Sequence, residues 1–199
     1  MPRASVRLCR AHHVVAGGAV VRKDTSLLKP PEPVVSQIMA FRRSLHHTER
    51  PDIPPGLSGA GPLVEDQAAV DVLAQLHEVV QVTAPIRTTF TTTAIFPHTT
   101  MVYLAPRENT PFLMFTERIV AHGIRVIPNL FIAVAIPHCT IAWFTEQVDD
   151  EIAKALQFPV PAGEFIFDTV SMYTIRPTGV IRRWTGRLQG TPSSEAHKR

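Results

Sequence analysis

Two segments of the chain place an imidazole and a hydroxyl two residues apart, followed by apolar residues. They are Pro97-His98-Thr99-Thr100-Met101 and Pro137-His138-Cys139-Thr140-Ile141. Along an extended strand, side chains two residues apart point to the same face. We therefore expect His98 to share a face with Thr100, and His138 to share one with Thr140.

An imidazole beside a hydroxyl suits the chemistry of phosphate esters. The hydroxyl donates a hydrogen bond to a phosphate oxygen, and the imidazole, with an ordinary pKa of about 6.5, accepts or donates a proton at neutral pH. Two such half-sites across one cleft would supply a general base and a general acid. This chemistry needs no metal ion and no organic cofactor, so we expect neither.

The same residues also have a plain structural interpretation. Either histidine would be an ordinary polar residue at the end of a strand, satisfied by local hydrogen bonds. Cys139 and Trp143 alternate to the face opposite His138, and Tyr103 alternates away from the face of His98 in the same manner. We expect these three side chains to pack in the core.

The elements that must position these residues follow from the apolar pattern. Apolar residues at helical spacing predict helices over 34–46, 66–80, 111–122 and 149–156. Pro97-His98 predicts a turn that joins strands over 88–95 and 99–105 into a hairpin. Further strands are predicted over 14–21, 130–136, 138–145, 164–174 and 179–187. The fold class is therefore α+β with mostly antiparallel pairing.

Length and composition limit the class of protein. The chain has 199 residues, of which 45% are hydrophobic and 19% charged, so it is long enough to form one folded domain. Its 2 cysteines are too few for a disulfide scaffold. The longest apolar run, 130–136, is far shorter than a membrane helix, so we expect no membrane partner and a cytoplasmic location.

Charge is divided unevenly along the chain. Residues 1–50 have a net charge of +6, residues 51–169 of −8 and residues 170–199 of +5. The two basic ends would suit contact with phosphate, or would be solvated tails. We expect a basic leader over 1–29, a single folded domain over 30–188 and a disordered tail over 189–199.

The segment around His138 resembles the second motif of the two-histidine (2H) phosphoesterase superfamily, especially its 2'-5' RNA ligase-like branch. That motif is His-x-Thr/Ser with apolar neighbours, often after a proline. A strand pair ending in Leu104-Ala105-Pro106, a helix, the His138 motif, a further helix and two strands also follow the order of the family's second half. The resemblance covers about residues 50–188.

The resemblance implies a fold and an activity. The family is bilobal, with two pseudo-symmetric antiparallel sheets, flanking helices and one His-x-Thr from each lobe facing a central cleft. Membership implies phosphodiester or 2',3'-cyclic phosphate chemistry on RNA ends or small nucleotides, with no metal. The function expected is a metal-independent phosphodiesterase. The alternatives are a degenerate member that binds a nucleotide or RNA end without turnover, and a non-catalytic interaction domain.

The first half-site has two interpretations. In one, His98 and Thr100 pair with His138 and Thr140, although the two motifs are only forty residues apart in this sequence. In the other, the family's usual spacing of eighty to ninety residues leads to the region of Asp52 and Pro54, in place of the first histidine and threonine. His138 and Thr140 belong to the site in both interpretations.

Overall fold

Short strands and helices alternate along the part of the chain that the computed structural model describes, which is residues 23–60, 63–64, 67–127 and 136–191. The strands are β1 (Lys23–Lys29), β2 (Leu57–Ala60), β3 (Ile86–Thr88), β4 (Phe90–Ile95), β5 (Met101–Pro106), β6 (Cys139–Trp143), β7 (Phe165–Phe167), β8 (Thr169–Arg176) and β9 (Gly179–Arg187). The helices are α1 (Glu32–Arg43), α2 (Ala69–Val82), α3 (Thr110–Ala121) and α4 (Asp149–Leu156).

Seven of the strands form one antiparallel sheet in the order β4-β5-β6-β2-β1-β8-β9. At its centre, β2 and β6 pair at one register position only, where Leu57 lies opposite Cys139. The sheet therefore consists of two halves, β4-β5-β6 and β2-β1-β8-β9, which meet at this pair. The predicted α+β class and its bilobal antiparallel arrangement are confirmed.

Each half of the sheet has its own helices. α1 packs against β6, and α4 packs against β4 and β5. On the other half, α3 packs against β2, and α2 packs against β9 and α3. Pro31 precedes α1 and Pro33 lies in its first turn, where a proline costs no helical hydrogen bond.

The core lies between the helices and the sheet. Its fully buried large side chains include Leu28, Leu57, Leu104, Phe112, Ile141 and Phe167. Burying a side chain of this size contributes roughly 1.5–3 kcal/mol. Leu57 and Ile141 belong to β2 and β6, so the strands on either side of the central junction are anchored by the same core.

Most predicted elements are present, with shifted ends. α4 and β9 have the predicted bounds. The strand predicted over 88–95 is broken at Thr89, whose carbonyl accepts from the amide of Arg107, and its two parts join different sheets. The strand over 164–174 is broken in the same way at Asp168, whose carbonyl accepts from Leu188. These breaks depend on tertiary hydrogen bonds, so the local sequence does not reveal them.

The ends of the domain differ from the predicted boundaries. Residues 23–29 of the expected leader form β1, which pairs with both β2 and β8 in the middle of the sheet. Gln189 and Gly190, in the expected tail, donate backbone hydrogen bonds to Val80 and Thr83. The strand predicted over 14–21 and most of that over 130–136 lie outside the described residues. No helix in the described part of the chain has the length and hydrophobicity needed to cross a bilayer.

Candidate functional site

A cavity of about 210 Å³ opens where the two halves of the sheet diverge. Thr25, Leu27 and Ile175 line it from the half that contains β1 and β8. Its other walls are formed by residues of β5 and β6, by Arg42, and by the loop that leads into β2: Met101, Thr140, Ala142, Trp143, Thr48, Glu49, Arg50, Ile53, Pro54 and Gly56. The cavity therefore lies between the two lobes, where the expected cleft belongs.

Thr140 is one of the cavity residues and lies opposite Tyr103 in the β5–β6 ladder. Its hydroxyl contacts the sulfur of Met101, with the oxygen and sulfur 3.7 Å apart. A thioether is a weak acceptor, so this contact leaves the hydroxyl available to a stronger partner in the cavity. Thr140 is thus suited to donate to a phosphate oxygen.

His138 lies immediately before β6 and is related by the symmetry of the junction to the cavity residue Gly56, but it is not itself among the residues that line the cavity. It is partly buried beside two aromatic rings. Its ring meets those of Phe96 and Tyr103 edge-on, with centroids 4.8 and 5.7 Å away. Nδ1 lies 2.7 Å from the carbonyl oxygen of Ile136. Because a carbonyl only accepts, Nδ1 carries the proton, and Nε2 of the neutral ring carries the lone pair.

Burial lowers the pKa of His138 below its ordinary value of 6.5, and the hydrogen bond to Ile136 opposes this effect only in part. The neutral imidazole is therefore the stable form at neutral pH. A neutral histidine with its lone pair on Nε2 is a general base.

The partner of this half-site across the sheet is Gly56-Leu57-Ser58. In an antiparallel pair, a local two-fold axis at Leu57 and Cys139 relates the residues before and after each of them. Gly56 therefore has the position on β2 that His138 has on β6, and Ser58 has the position of Thr140. Both positions 58 and 140 therefore carry a hydroxyl residue, but position 56 is a glycine where the other half-site has the imidazole of His138.

Gly56 also has no space for a side chain. A Cβ built on it would lie 2.8 Å from Cβ of Leu27, 3.2 Å from Cδ1 of Leu27 and 3.3 Å from the carbonyl oxygen of Leu28. Leu27 is buried and lines the cavity. Leu27 thus fills the volume in which a side chain at position 56 would begin.

Arg42 holds β6 at the point where the two halves separate. Its Nε donates to the carbonyl of Ile141 at 2.7 Å and its Nη2 to that of Thr140 at 2.6 Å. Its Nη1 donates to the carbonyl of Ile53, in the loop before β2. One side chain of α1 thus ties both candidate half-sites together.

The comparisons with known proteins agree with this geometry. The model of the 2'-5' RNA ligase superfamily matches residues 30–178. The chain belongs to this superfamily. Its members are 2H phosphoesterases, so phosphoester chemistry is the general function of the family. No curated protein matches the chain.

Solved structures show the same 2H fold at low sequence identity. TT0787 of Thermus thermophilus is 17% identical, with a TM-score of 0.62, over 84% of this chain and 98% of that one. E. coli LigT complexed with NADP+ is 13% identical, with a TM-score of 0.57, over 85% and 99%. Other structures of E. coli LigT are complexed with phosphate, 3'-AMP or ATP.

Within this 2H fold, the structure places His98 and Thr100 away from the cavity. His98 is exposed at the tip of the β4–β5 hairpin, with a φ of 61°. The hydroxyl of Thr100 donates to the carbonyl of Phe144, at the end of β6 remote from His138. Phe144 is four residues beyond Thr140, which corresponds to roughly 13 Å of strand. The structure therefore does not bring the two predicted half-sites together.

The second interpretation of the first half-site falls in the loop that leads into β2, at a different register from Gly56. Asp52 is exposed at the surface, where Arg50 donates to both its carboxylate oxygens at 3.0 Å and lowers its pKa. Pro54 lines the cavity but has no hydroxyl. The register is shifted by four residues because β2 begins only at Leu57, after the prolines of the loop.

The predicted burial is confirmed for Cys139 and Tyr103 and is wrong for Trp143. Cys139 is fully buried, and burial raises the pKa of its thiol to about 12. Trp143, predicted to face the core, lines the cavity, because the β5–β6 ladder skips Ile141 and reverses the alternation of faces. Tyr103 is buried as predicted, but its ring contacts His138.

Leu27, Gly56 and Arg42 are among the cavity residues that the sequence analysis missed. A Pro-Pro-Gly-Leu-Ser segment eighty-two residues before His138 was the available signal for the first half-site. Among the described residues, no three histidine, cysteine or acidic side chains are grouped closely enough to hold a metal ion.

Proposed function

We propose that the cleft binds the phosphate group of a nucleotide or RNA end through His138 and Thr140, and that it cleaves 2',3'-cyclic phosphates slowly or not at all. The protein would then act in this 2H superfamily as a binder of phosphate esters. Gly56 carries this proposal, because it occupies the position on β2 that His138 occupies on β6.

A single imidazole provides one of the two proton-transfer groups that cleavage of a phosphodiester needs. With its lowered pKa, His138 is a base that would accept a proton from water or from a ribose hydroxyl. Cleavage also needs an acid to protonate the leaving oxygen. Gly56 supplies no proton, and Leu27 fills the adjoining space.

Binding of a phosphate ester requires fewer functional groups than its cleavage does. Thr140 offers a hydroxyl, Thr25 and Thr48 are further hydroxyl residues of the cavity, and Arg42 brings a positive charge. Apolar residues such as Leu27, Met101 and Ile175 line the same cavity and suit the flat faces of a base or sugar.

The ligands of E. coli LigT support the choice of ligand class. That protein has been crystallised with phosphate, 3'-AMP, ATP and NADP+, all of which contain phosphate and three of which contain adenine. We infer that a nucleotide phosphate is the simplest ligand to test on this chain.

The second candidate function is a metal-independent phosphodiesterase that uses His98 and His138 as its acid and base. The lowered pKa of His138 favours it, because the base that such an enzyme needs is present. It would require the β4–β5 hairpin to carry His98 into the cleft.

Two assays on the same variants separate these functions. Calorimetric binding of 3'-AMP and hydrolysis of 2',3'-cyclic AMP in EDTA are measured for the wild type, H138A and H98A. We expect binding that H138A weakens by about tenfold or more and H98A leaves unchanged, with little or no hydrolysis.

Three results would contradict the proposal. A wild type that binds no 3'-AMP excludes the binding site. Efficient hydrolysis that is lost in both H138A and H98A establishes the second candidate. Binding that is equal in the wild type and H138A places the ligand elsewhere. Circular dichroism of each variant verifies that it is folded.

A further inference from the structure

Resting on the proposed function, we propose that Arg42 is the anion-binding cation of the cleft, and that the phosphate of the ligand is the counterion its guanidinium lacks. Arg42 belongs to the last turn of α1, remote in sequence from both motifs. Its guanidinium is hydrogen-bonded to the segments of both half-sites, so its positive charge lies between them and beside the cavity.

Arg42 is almost completely buried, with 6% of its surface exposed. Its hydrogen-bond acceptors in the described part of the chain are three neutral carbonyl groups and, weakly, the sulfur of Met39 at 3.8 Å. Burying a charge is costly unless an opposite charge lies nearby. The described residues provide no carboxylate in contact with this guanidinium.

Two acidic residues lie in this region, and neither forms an ion pair with Arg42 among the described residues: Glu49 lines the same cavity, and Asp52 lies in the loop before β2. Asp52 attracts Arg42 only at a distance, and both its oxygens are already bound by Arg50. Desolvation lowers the pKa of Arg42 in spite of the attraction of Asp52. A dianionic phosphate in the cavity would compensate this charge directly.

The three carbonyl bonds explain why an arginine is found at this point. Beyond Cys139, β6 has no recorded partner in β2, and the β5–β6 ladder skips Ile141. Arg42 donates to carbonyls of Thr140 and Ile141 at this divergence and to that of Ile53 in the loop before β2. A guanidinium has five N–H donors, so it can serve three carbonyls and retain a donor for a ligand.

This arrangement also resolves a difficulty raised by the charge pattern. Residues 51–169, which include His138 and parts of both halves of the sheet, have a net charge of −8, which would repel phosphate. A buried cation without an ion-pair partner makes a positive contribution to the potential inside a low-dielectric cleft, and Arg42 and Arg50 line this cavity with Glu49 as its acidic residue. Arg42 belongs to the basic segment 1–50 and supplies that positive potential to the cavity.

The test compares two arginines that both donate to backbone carbonyls. Arg118 donates to the carbonyl of Val82 and to the hydroxyl of Thr83, away from the cavity. The unfolding temperatures of the wild type, R42M, R42K and R118M are measured with inorganic phosphate or with chloride at equal ionic strength. Calorimetry with 3'-AMP accompanies each measurement.

Phosphate is expected to raise the unfolding temperature of the wild type and of R118M by the same amount. It should have no effect on R42M, and 3'-AMP should bind R42M about 10- to 100-fold more weakly than the wild type. R42K keeps the charge but has fewer and differently placed donors, so its affinity should lie between those of the wild type and R42M.

The inference is overturned if folded R42M binds phosphate and 3'-AMP as tightly as the wild type does. If R42M fails to fold, R42K decides, because loss of all phosphate response in folded R42K contradicts a role through charge. A wild type without any response to phosphate or 3'-AMP overturns the proposed function as well. Binding that needs His138 but not Arg42 overturns this inference alone.

Discussion

Leu27 and Gly56 are complementary in the space they occupy at the junction of the two lobes. A Cβ built on Gly56 would lie 2.8 Å from Cβ of Leu27, which is closer than two carbon atoms of this kind approach. The position that symmetry relates to His138 therefore has no side chain of its own, and the side chain of Leu27 occupies that space. In the proposed function, Gly56 and Leu27 are the reason why the site binds phosphate esters but lacks the acid needed to cleave them.

Restoring a histidine at position 56 should require a change at Leu27. We expect G56H alone to lose about 1–3 kcal/mol of stability through overpacking, with no gain in cleavage. In L27G/G56H, the Cβ of residue 27 that lies 2.8 Å from a Cβ at position 56 is removed with the rest of the leucine side chain, so the imidazole has space. Cleavage of 2',3'-cyclic AMP should then rise about 100-fold over the wild type, because a positioned acid contributes at least that factor.

L27G is the control for this pair, because it enlarges the cavity without adding an acid. We expect L27G to be destabilised by about 3–6 kcal/mol, through the cavity it leaves and through a glycine within a strand, and to remain without cleavage. G56H with the stability of the wild type in urea denaturation would show that Leu27 does not limit this position.

Thr140 and Thr100 form a second matched pair, since valine has nearly the shape of threonine. T140V should weaken binding of 3'-AMP about tenfold, because a hydrogen bond to a charged phosphate is lost. T100V should leave binding unchanged and lower the stability by about 1 kcal/mol, because its hydroxyl bonds to the carbonyl of Phe144. The opposite order of affinities in calorimetry would favour the hairpin half-site.

The lowered pKa of His138 predicts how stability depends on pH. The unfolded chain takes up a proton near the ordinary value of 6.5, whereas the native protein takes it up only at lower pH. Stability should therefore be lost as the pH falls below about 6.5, because the unfolded state binds more protons. Urea denaturation at pH 7 and pH 5 measures this loss.

H138N removes the titrating group and should reduce the difference in stability between pH 7 and pH 5. H98Q alters an exposed histidine and should leave that difference unchanged. An equal pH dependence in the wild type and H138N would show that His138 is not the buried neutral base.

Cys139 should be unreactive in the native protein. It is fully buried, and its thiol has a pKa raised to about 12, so almost no thiolate is present at pH 8. In a C9S variant, where Cys139 is the single thiol, we expect alkylation by iodoacetamide only when the chain unfolds. Rapid alkylation under native conditions would show that the junction of β2 and β6 opens locally.

Parts of both halves of the sheet could be predicted from the sequence. Local residue patterns were enough to predict three features: the Pro-His-x-Thr motif, the helix over 149–156 and the strand over 179–187. Tertiary packing does not alter such local patterns. His138 and Thr140 were recognised as a pair because residues two apart share a face of a strand. The burial of Cys139 follows from the same alternation.

The first half-site depended on the tertiary structure. Local motif quality favoured His98, but His98 lies at an exposed hairpin tip. The pairing of Leu57 with Cys139 sets the register of Gly56, and no local pattern reports on a contact between residues so far apart. Likewise, Leu27 and Arg42 reach the cavity only because β1 and α1 pack beside strands from distant parts of the chain.

The sequence by itself determined the family and predicted one candidate half-site, because both depend on residue types at short spacing. Only the tertiary structure decided what faces that half-site. Whether a histidine, a leucine side chain or a buried arginine stands opposite His138 depends on strand register and on side-chain volume. Both arise from long-range packing between the two lobes.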